Sequence, residues 1–159
     1  MIDDTGLGRF ARDLGNELAS ARVHALRQAQ EALETLPAKA KRLDVGIHLD
    51  QDCEGRISLL LHVDGPDLHA LNDAIGDYRL LFEGYIATGV EPGCPFELKE
   101  NVAKQTNDLC AEWAKELWRE LPPELRSLPA MVVFMEDALA DPNAQWIGGT
   151  EAGVLETSE

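Results

Sequence analysis

The sequence predicts an α+β domain with a long N-terminal helix, an antiparallel β-hairpin, two further helices and a third short strand, the helices packing on one face of a small sheet. Three observations predict this class. Residues 5–36 repeat apolar side chains at spacings of three and four, residues 43–63 alternate apolar and polar side chains in two runs, and residues 131–135 form a short apolar run. The first spacing is that of an amphipathic helix, and the alternation is that of half-buried strands.

The N-terminal half is predicted to form the long helix and the hairpin. Thr5 is a fair N-cap residue for the helix, Gly15 is a weak point inside it, and Pro37 cannot continue it. The two strands of the hairpin should bury one row of alternating apolar residues: Leu43, Val45, Ile47 and Leu49, then Ile57, Leu59, Leu61 and Val63. Because both rows must share a face, they set the register of the pair.

The C-terminal half is predicted to form two helices and a strand. One helix should span residues 68–88, with an N-cap at Asp67, and the next should run from Glu97 or Asn101 to Leu121. The apolar run at residues 131–135 is short and rich in β-branched residues, so we expect a strand buried on both faces.

Length and composition indicate one domain in a reducing compartment. A chain of 159 residues can bury enough surface to fold without a disulfide or a metal. We expect residues 1–139 to form this domain, and residues 140–159 to form a flexible acidic tail. No apolar run is long enough to span a membrane, and the acidic N-terminus does not fit a secretory signal. Three cysteines without a CxxC pair fit a cytoplasmic, bacterial type of protein.

The charge of the chain is unevenly distributed. The net charge is −15, of which residues 67–159 hold −12. Such a field repels phosphate backbones, so nucleic acid is not an expected partner. It would attract a basic protein, although solubility is the more common role of net charge. No cofactor is predicted, because neither a GxGxxG nor a GxxxxGK pattern is complete.

The turn of the hairpin contains the sharpest motif. Asp50, Asp52 and Glu54, followed by Gly55, resemble the first six positions of a calcium-binding loop. The twelfth position requires a bidentate glutamate, but Leu61 occupies it. We therefore predict no metal site here and interpret the motif as a polar hairpin turn, with a weak cation loop as the alternative.

The polar row of the hairpin is a second candidate site. It contains Asp44, His48, Ser58 and His62, and the expected register puts His62 near Asp44 and His48 near Ser58. A His–Asp pair beside a serine suggests a catalytic triad. However, no GxSxG elbow surrounds Ser58, so we predict no catalytic residue and favour solvated cross-strand pairs.

An acidic ridge follows the third helix at a spacing of four. We use this name for Asp108, Glu112, Glu116, Glu120 and Glu124. Lys115 and Arg119 flank the ridge and could pair with Glu112 and Glu116. Trp118 lies at the edge of the apolar face and, if exposed, would make the ridge a protein-binding surface. The alternative is a solvated helix face with Trp118 in the core.

Short motifs in a specific order run through residues 43–120. They are Val63-Asp64-Gly65-Pro66-Asp67-Leu68, Leu71-Asn72, Leu81-Phe82-Glu83, Thr88-Gly89 with Glu91-Pro92 and Pro95, and Trp113 with Leu117-Trp118. This order resembles a small actinobacterial family of unknown function. The resemblance implies a hairpin followed by two helices, and it implies no activity, ligand or site residue.

Three functions remain as hypotheses. The first is an acidic protein-interaction module, immunity- or inhibitor-like or regulatory, that binds a basic protein. The second is a small-ligand or enzymatic domain with a pocket next to the hairpin, and the third is a homo-oligomeric scaffold, such as a homodimer, that buries part of the N-terminal helix in a second copy. The missing catalytic motif favours a protein that is not an enzyme.

Overall fold

A computed structural model of the chain describes residues 6–50, 53–89, 96–134 and 145–148. Within these ranges the elements are α1 (Gly6–Thr35), β1 (Arg42–Leu49), β2 (Arg56–Asp64), α2 (Leu68–Ala74), β3 (Leu80–Tyr85), α3 (Phe96–Glu120), β4 (Ala130–Phe134) and β5 (Gln145–Gly148). Single 3₁₀ turns lie at Gly76–Tyr78 and Pro123–Leu125. The long helices α1 and α3 match their predicted spans, and α1 continues through Gly15 without a break.

The described strands form one sheet in the order β3-β2-β1-β4-β5. β1 and β4 are parallel, and the other neighbours are antiparallel. The hairpin has the register that its apolar rows require, with Leu43 opposite Val63 and Ile47 opposite Leu59. The predicted α+β class is therefore confirmed.

The core lies between the sheet and the two long helices. Both apolar rows of the hairpin are buried there together with side chains of α1 and α3. The opposite side of the hairpin is only partly buried. We call it the open face, and it is the polar face that the alternation predicted.

The predicted second helix is wrong beyond its first two turns. α2 ends at Ala74, and residues 80–85 form β3 instead. The apolar spacing from Leu68 to Ile86 suits a helix, but the hairpin alone would leave the outer peptide groups of β2 without partners. β3 supplies those partners, and tertiary pairing therefore overrides the local pattern. The amide of Asn72 holds α2 to β2, since it accepts from the N–H of Val63 at 2.8 Å and donates to its carbonyl at 3.0 Å.

The C-terminal strands also differ from expectation. In β4, Ala130, Val132 and Phe134 are buried, whereas Met131 and Val133 are only partly buried, so the strand is not buried on both faces. Residues 145–148, which fall within the predicted tail, form β5 and pair with β4. Four residues are too few to establish a period of two, which is why the sequence pattern missed this strand. The remainder of residues 140–159 lies outside the described residues.

Candidate functional site

The open face brings together the four predicted polar residues. Asp44 lies opposite His62, and His48 lies opposite Ser58. However, the Asp44 carboxylate binds Arg42 and not a histidine, through Nε–Oδ1 and Nη2–Oδ2 distances of 2.8 and 3.0 Å. Burial raises the pKa of Asp44 above 3.8, although the hydrogen bonds from Arg42 oppose the rise.

The two histidines form a relay with an arginine that the sequence analysis did not single out. Arg79 Nη2 lies 2.7 Å from Nδ1 of His62, and Nε2 of His62 lies 3.4 Å from Nε2 of His48. Arginine can only donate, so His62 Nδ1 accepts and its Nε2 carries the ring proton. His62 therefore donates to His48. Arg79 is itself fixed, because its Nε donates to the carbonyl of Leu61 at 2.9 Å.

Burial and the neighbouring Arg79 lower the pKa of both histidines. The pKa of His62 is lowered from 6.5 to about 4. Burial is the largest cause, the charge of Arg79 is the second, and His48 contributes least. Burial and Arg79 also lower the pKa of His48. With Asp44 bound to Arg42 there is no His–Asp pair to activate Ser58, so the arrangement does not form a triad.

The same relay makes the histidine pair a poor metal site. A metal-bound imidazole ordinarily donates its second ring N–H to an acceptor. Here the second ring nitrogen of His62 accepts from Arg79. In the described part of the chain, no group of three or more His, Cys, Asp or Glu side chains could hold a metal ion.

In the calcium-like motif, the carboxylate of Asp50 accepts hydrogen bonds from the backbone of the hairpin turn. Asp50 Oδ2 accepts from the N–H of Glu54 at 2.8 Å, and Oδ1 accepts from the N–H groups of Gly55 and Arg56 at 2.9 Å each. Burial works to raise the pKa of Asp50, but these hydrogen bonds outweigh it and lower the pKa below 3.8. Asp52 lies outside the described residues. The oxygens of Asp50 therefore serve the backbone of the turn.

Most of the acidic ridge is paired with nearby cations. Lys104 lies 3.0 Å from Asp108 on α3, and Lys115 lies 3.4 Å from Glu112. Arg22 of α1 reaches across to two members, at 3.5 Å from Glu116 and in direct contact with Glu120. The predicted Lys115 pair is present, whereas Glu116 pairs with Arg22 and not with Arg119.

Trp118 is buried, so it is not an exposed interaction residue, and the alternative that places it in the core is confirmed. Its exposed fraction is 6%. α3 packs against both α1 and the sheet, so its buried face is wide enough to include two adjacent positions in each turn, as at Leu117 and Trp118. Trp113 and Trp118, the tryptophans of α3, are both buried, so neither lies exposed beside the acidic ridge.

Among the described strands, β3 forms one edge of the sheet, and this edge has free peptide groups at Glu83 and Tyr85. The N–H of Ile86 donates to the carbonyl of Gly55 at 2.9 Å, and the ladder continues with Gly84 opposite Ile57. In an antiparallel ladder, bonded pairs alternate with non-bonded ones, so the peptide groups of Glu83 and Tyr85 point away from β2. Among the described residues they have no hydrogen-bond partner.

A groove of about 340 Å³ lies between this edge and α1. Its described lining consists of Leu80–Glu83 from β3 and of Glu17, Ser20, Ala21 and His24 from α1. At one end, Gln28 of α1 donates to the carbonyls of Asp77 and Leu80, at 3.2 and 3.4 Å. This hydrogen bonding fixes α1 beside β3 and closes that end of the groove.

The sequence analysis missed this site because it assigned β3 to a helix. A usable signal was present, since Gly76 and Gly84 would both lie inside the predicted helix, where glycine is unfavourable. The run Leu80–Tyr85 also contains two aromatic residues, which are enriched in strands.

One protein-family model matches the chain over nearly all of these helices and strands. Residues 9–147 match a family of unknown function, DUF6389. The chain belongs to this family. The match begins within α1 and ends within β5, so it is wider than the motifs at residues 43–120 and includes the first and the last described elements. No curated protein and no solved structure matches the chain. No helix in the described ranges is long and apolar enough to cross a membrane.

Proposed function

We propose that this member of the family is a protein-interaction module that binds an extended, basic segment of a partner protein as an added strand beside β3. The observation that carries the proposal is the pair of outward peptide groups at Glu83 and Tyr85. Addition of a strand to a free sheet edge is a recurring mode of peptide recognition, in which main-chain hydrogen bonds supply affinity. An inhibitory or regulatory role in the cytoplasm would follow from such binding.

The groove supplies the side-chain contacts that such a mode requires for specificity. A peptide paired with β3 would place alternate side chains against α1 and the others towards the open face. On the open-face side, Leu80 and Tyr85 are exposed by 37% and 63%. These two side chains offer apolar contacts at the two ends of a short strand.

The charge of the groove selects a basic partner. Its described lining includes Glu17 and Glu83 and contains no lysine or arginine, and the register places the side chain of Glu83 on the open face, opposite Ser58. A second copy of the chain would bring a further net charge of −15. Repulsion of that size disfavours a homodimer through this edge and favours a segment that carries lysine or arginine opposite Glu83.

The open-face histidines favour binding over catalysis. The two rings are hydrogen-bonded to each other, His62 also accepts from Arg79, and the Asp44 carboxylate binds Arg42. The described pocket of about 480 Å³ next to the hairpin is lined by His48, Ser58 and Glu83, and of these the histidine is already engaged by His62. This is why the enzymatic alternative ranks below the interaction module.

The test is selection of ligands from a library of random linear 12-residue peptides displayed on phage. We expect enrichment of peptides that combine β-branched residues with lysine or arginine, and we expect the synthetic winner to bind in fluorescence anisotropy. Glu83→Pro removes one outward N–H from an edge strand, a place where proline is tolerated. We expect it to weaken binding at least tenfold without a change in the melting temperature.

Charge-reversal variants provide the matched control. Glu17→Lys reverses a charge in the groove. Glu34→Lys, the control, reverses a charge on the same helix outside the groove. Binding should weaken in the first variant and remain unchanged in the second. If no peptide is enriched, or if the enriched peptides bind wild type and Glu83→Pro equally, the proposal is wrong.

A further inference from the structure

The pocket next to the hairpin lies on the open face, near the turn. Its volume of about 480 Å³ is within the usual range for ligand pockets. Polar side chains cross three strands there, because His48 of β1 lies opposite Ser58 of β2, and Ser58 lies opposite Glu83 of β3. The next pair towards the turn is Arg56 with Tyr85, and all five residues line the pocket. The register therefore gathers an imidazole, a hydroxyl, a carboxylate, a guanidinium and an aromatic ring on one face.

The pocket holds two opposite charges that are not paired with each other. In the described part of the chain, neither Arg56 nor Glu83 takes part in a salt bridge. They are diagonal neighbours on β2 and β3, a relation that puts the two Cα atoms about 7–8 Å apart. The carboxylate of Asp50, also in the lining, already accepts from three backbone N–H groups of the turn. A guanidinium and a carboxylate thus lie side by side, and both can receive a ligand.

The histidine relay fixes a hydrogen-bond donor beside these charges. Because Nε2 of His48 accepts from His62, the ring proton of His48 lies on Nδ1. This Nδ1 makes no hydrogen bond among the described residues and is not sealed from solvent. The hydroxyl of Ser58 can donate as well. With the guanidinium of Arg56, these groups form a set of donors that suits a carboxylate.

The balance of charge in the pocket indicates a zwitterionic ligand. A purely anionic ligand would be repelled by Glu83 and by the net charge of −15, and a purely cationic one would be repelled by Arg56. A molecule with both charges gives each side chain a partner and adds no net charge. A free α-amino acid carries its ammonium and its carboxylate on the same carbon atom, whereas the end of a peptide chain carries only one of the two.

We propose that this pocket binds a free α-amino acid. The carboxylate of the ligand accepts from Arg56, from the hydroxyl of Ser58 and from Nδ1 of His48, and its ammonium group donates to Glu83. Its side chain packs against the ring of Tyr85, which is 63% exposed. The inference does not depend on strand addition, which rests on main-chain groups of β3, because side chains hold the amino acid.

The probe is L-phenylalanine, and two analogues of the same shape each lack one of its charges. 3-Phenylpropanoate has no ammonium group, and phenethylamine has no carboxylate. We expect phenylalanine to shift the backbone amide resonances of Ser58 and Glu83 in ¹H–¹⁵N spectra, with a dissociation constant of roughly 0.1–1 mM, as suits a molecule of this size. Both analogues should bind at least tenfold more weakly. If either analogue binds as tightly as phenylalanine, or if phenylalanine shifts neither amide, the proposal is overturned.

Two variants assign each charge of the ligand to its partner. Arg56→Gln should weaken phenylalanine binding at least tenfold and leave phenethylamine binding unchanged, because that amine has no carboxylate. Glu83→Gln should weaken phenylalanine binding and leave 3-phenylpropanoate binding unchanged. Arg27→Gln makes the first change at an exposed position of α1 and should bind all three compounds like wild type. An Arg56→Gln protein that binds phenylalanine normally, or that loses phenethylamine to the same extent, contradicts the proposal; neither result bears on strand addition, since this variant keeps the main chain of β3.

Discussion

The acidic ridge on α3 and the edge of β3 are two candidate surfaces for a partner, and they differ in which of their groups remain without a hydrogen-bond or ion-pair partner. On the ridge, four of the five carboxylates already have a lysine or arginine nearby. At the edge, the peptide groups of Glu83 and Tyr85 have no partner among the described residues. A paired surface charge gains little from a new partner, whereas a free strand edge can gain several main-chain hydrogen bonds.

The comparison teaches that charge in a sequence is a weak guide to where a protein binds. The ridge is conspicuous as a spacing of four, yet Arg22 on α1, far away in sequence, pairs with two of its five carboxylates. The edge of β3 is inconspicuous in sequence, because backbone groups carry no residue-specific signal. The net charge still matters, since it selects a basic partner for the edge.

The largest expected effect comes from detaching β3 from the hairpin. Gly55 has φ +125°, and a Cβ atom there would lie 1.9 Å from the carbonyl oxygen of Ile86. We expect Gly55→Ala to reduce the free energy of unfolding by roughly 3 kcal/mol and to abolish peptide binding, measured by denaturant titration and anisotropy. Gly76→Ala is the control, because an added Cβ meets nothing within 4 Å there. Equal stability of the two variants would contradict this role of Gly55.

The smallest expected effect comes from removing the ion pairs that Arg22 makes with the acidic ridge. Arg22→Ala removes the partner of Glu116 and Glu120, and because these side chains are partly solvent-exposed we expect a loss of only about 0.2–1 kcal/mol, smaller still in high salt. Binding of the selected peptide should not change. Tighter binding to Arg22→Ala would mean that the ridge, and not the edge, attracts the basic segment.

The sequence was sufficient for the parts of the fold with a repeated local pattern. Thirty residues of α1, the hairpin with its register, and the amphipathic face of α3 all follow from periodicity. The position of β3 in the sheet and the parallel pairing of β1 with β4 could not be predicted, since they depend on which strand edges remain unpaired in three dimensions. The spacing of apolar residues in β3 is compatible with a helix.

The same division applies to the candidate sites. Alternation correctly placed Asp44, His48, Ser58 and His62 on one face. It could not assign their partners, because Arg79 reaches His62 only after the chain turns back along β2.

Amide hydrogen exchange of β3 tests the central claim most directly. In the free protein, the amides of Glu83 and Tyr85 should exchange much faster than those of Phe82 and Gly84, which face β2. Saturation with the selected basic peptide should slow Glu83 and Tyr85 at least tenfold and leave the α3 amides at their free rates. Protection of α3 instead, or unchanged exchange at Glu83 and Tyr85 in the bound state, would contradict strand addition at this edge.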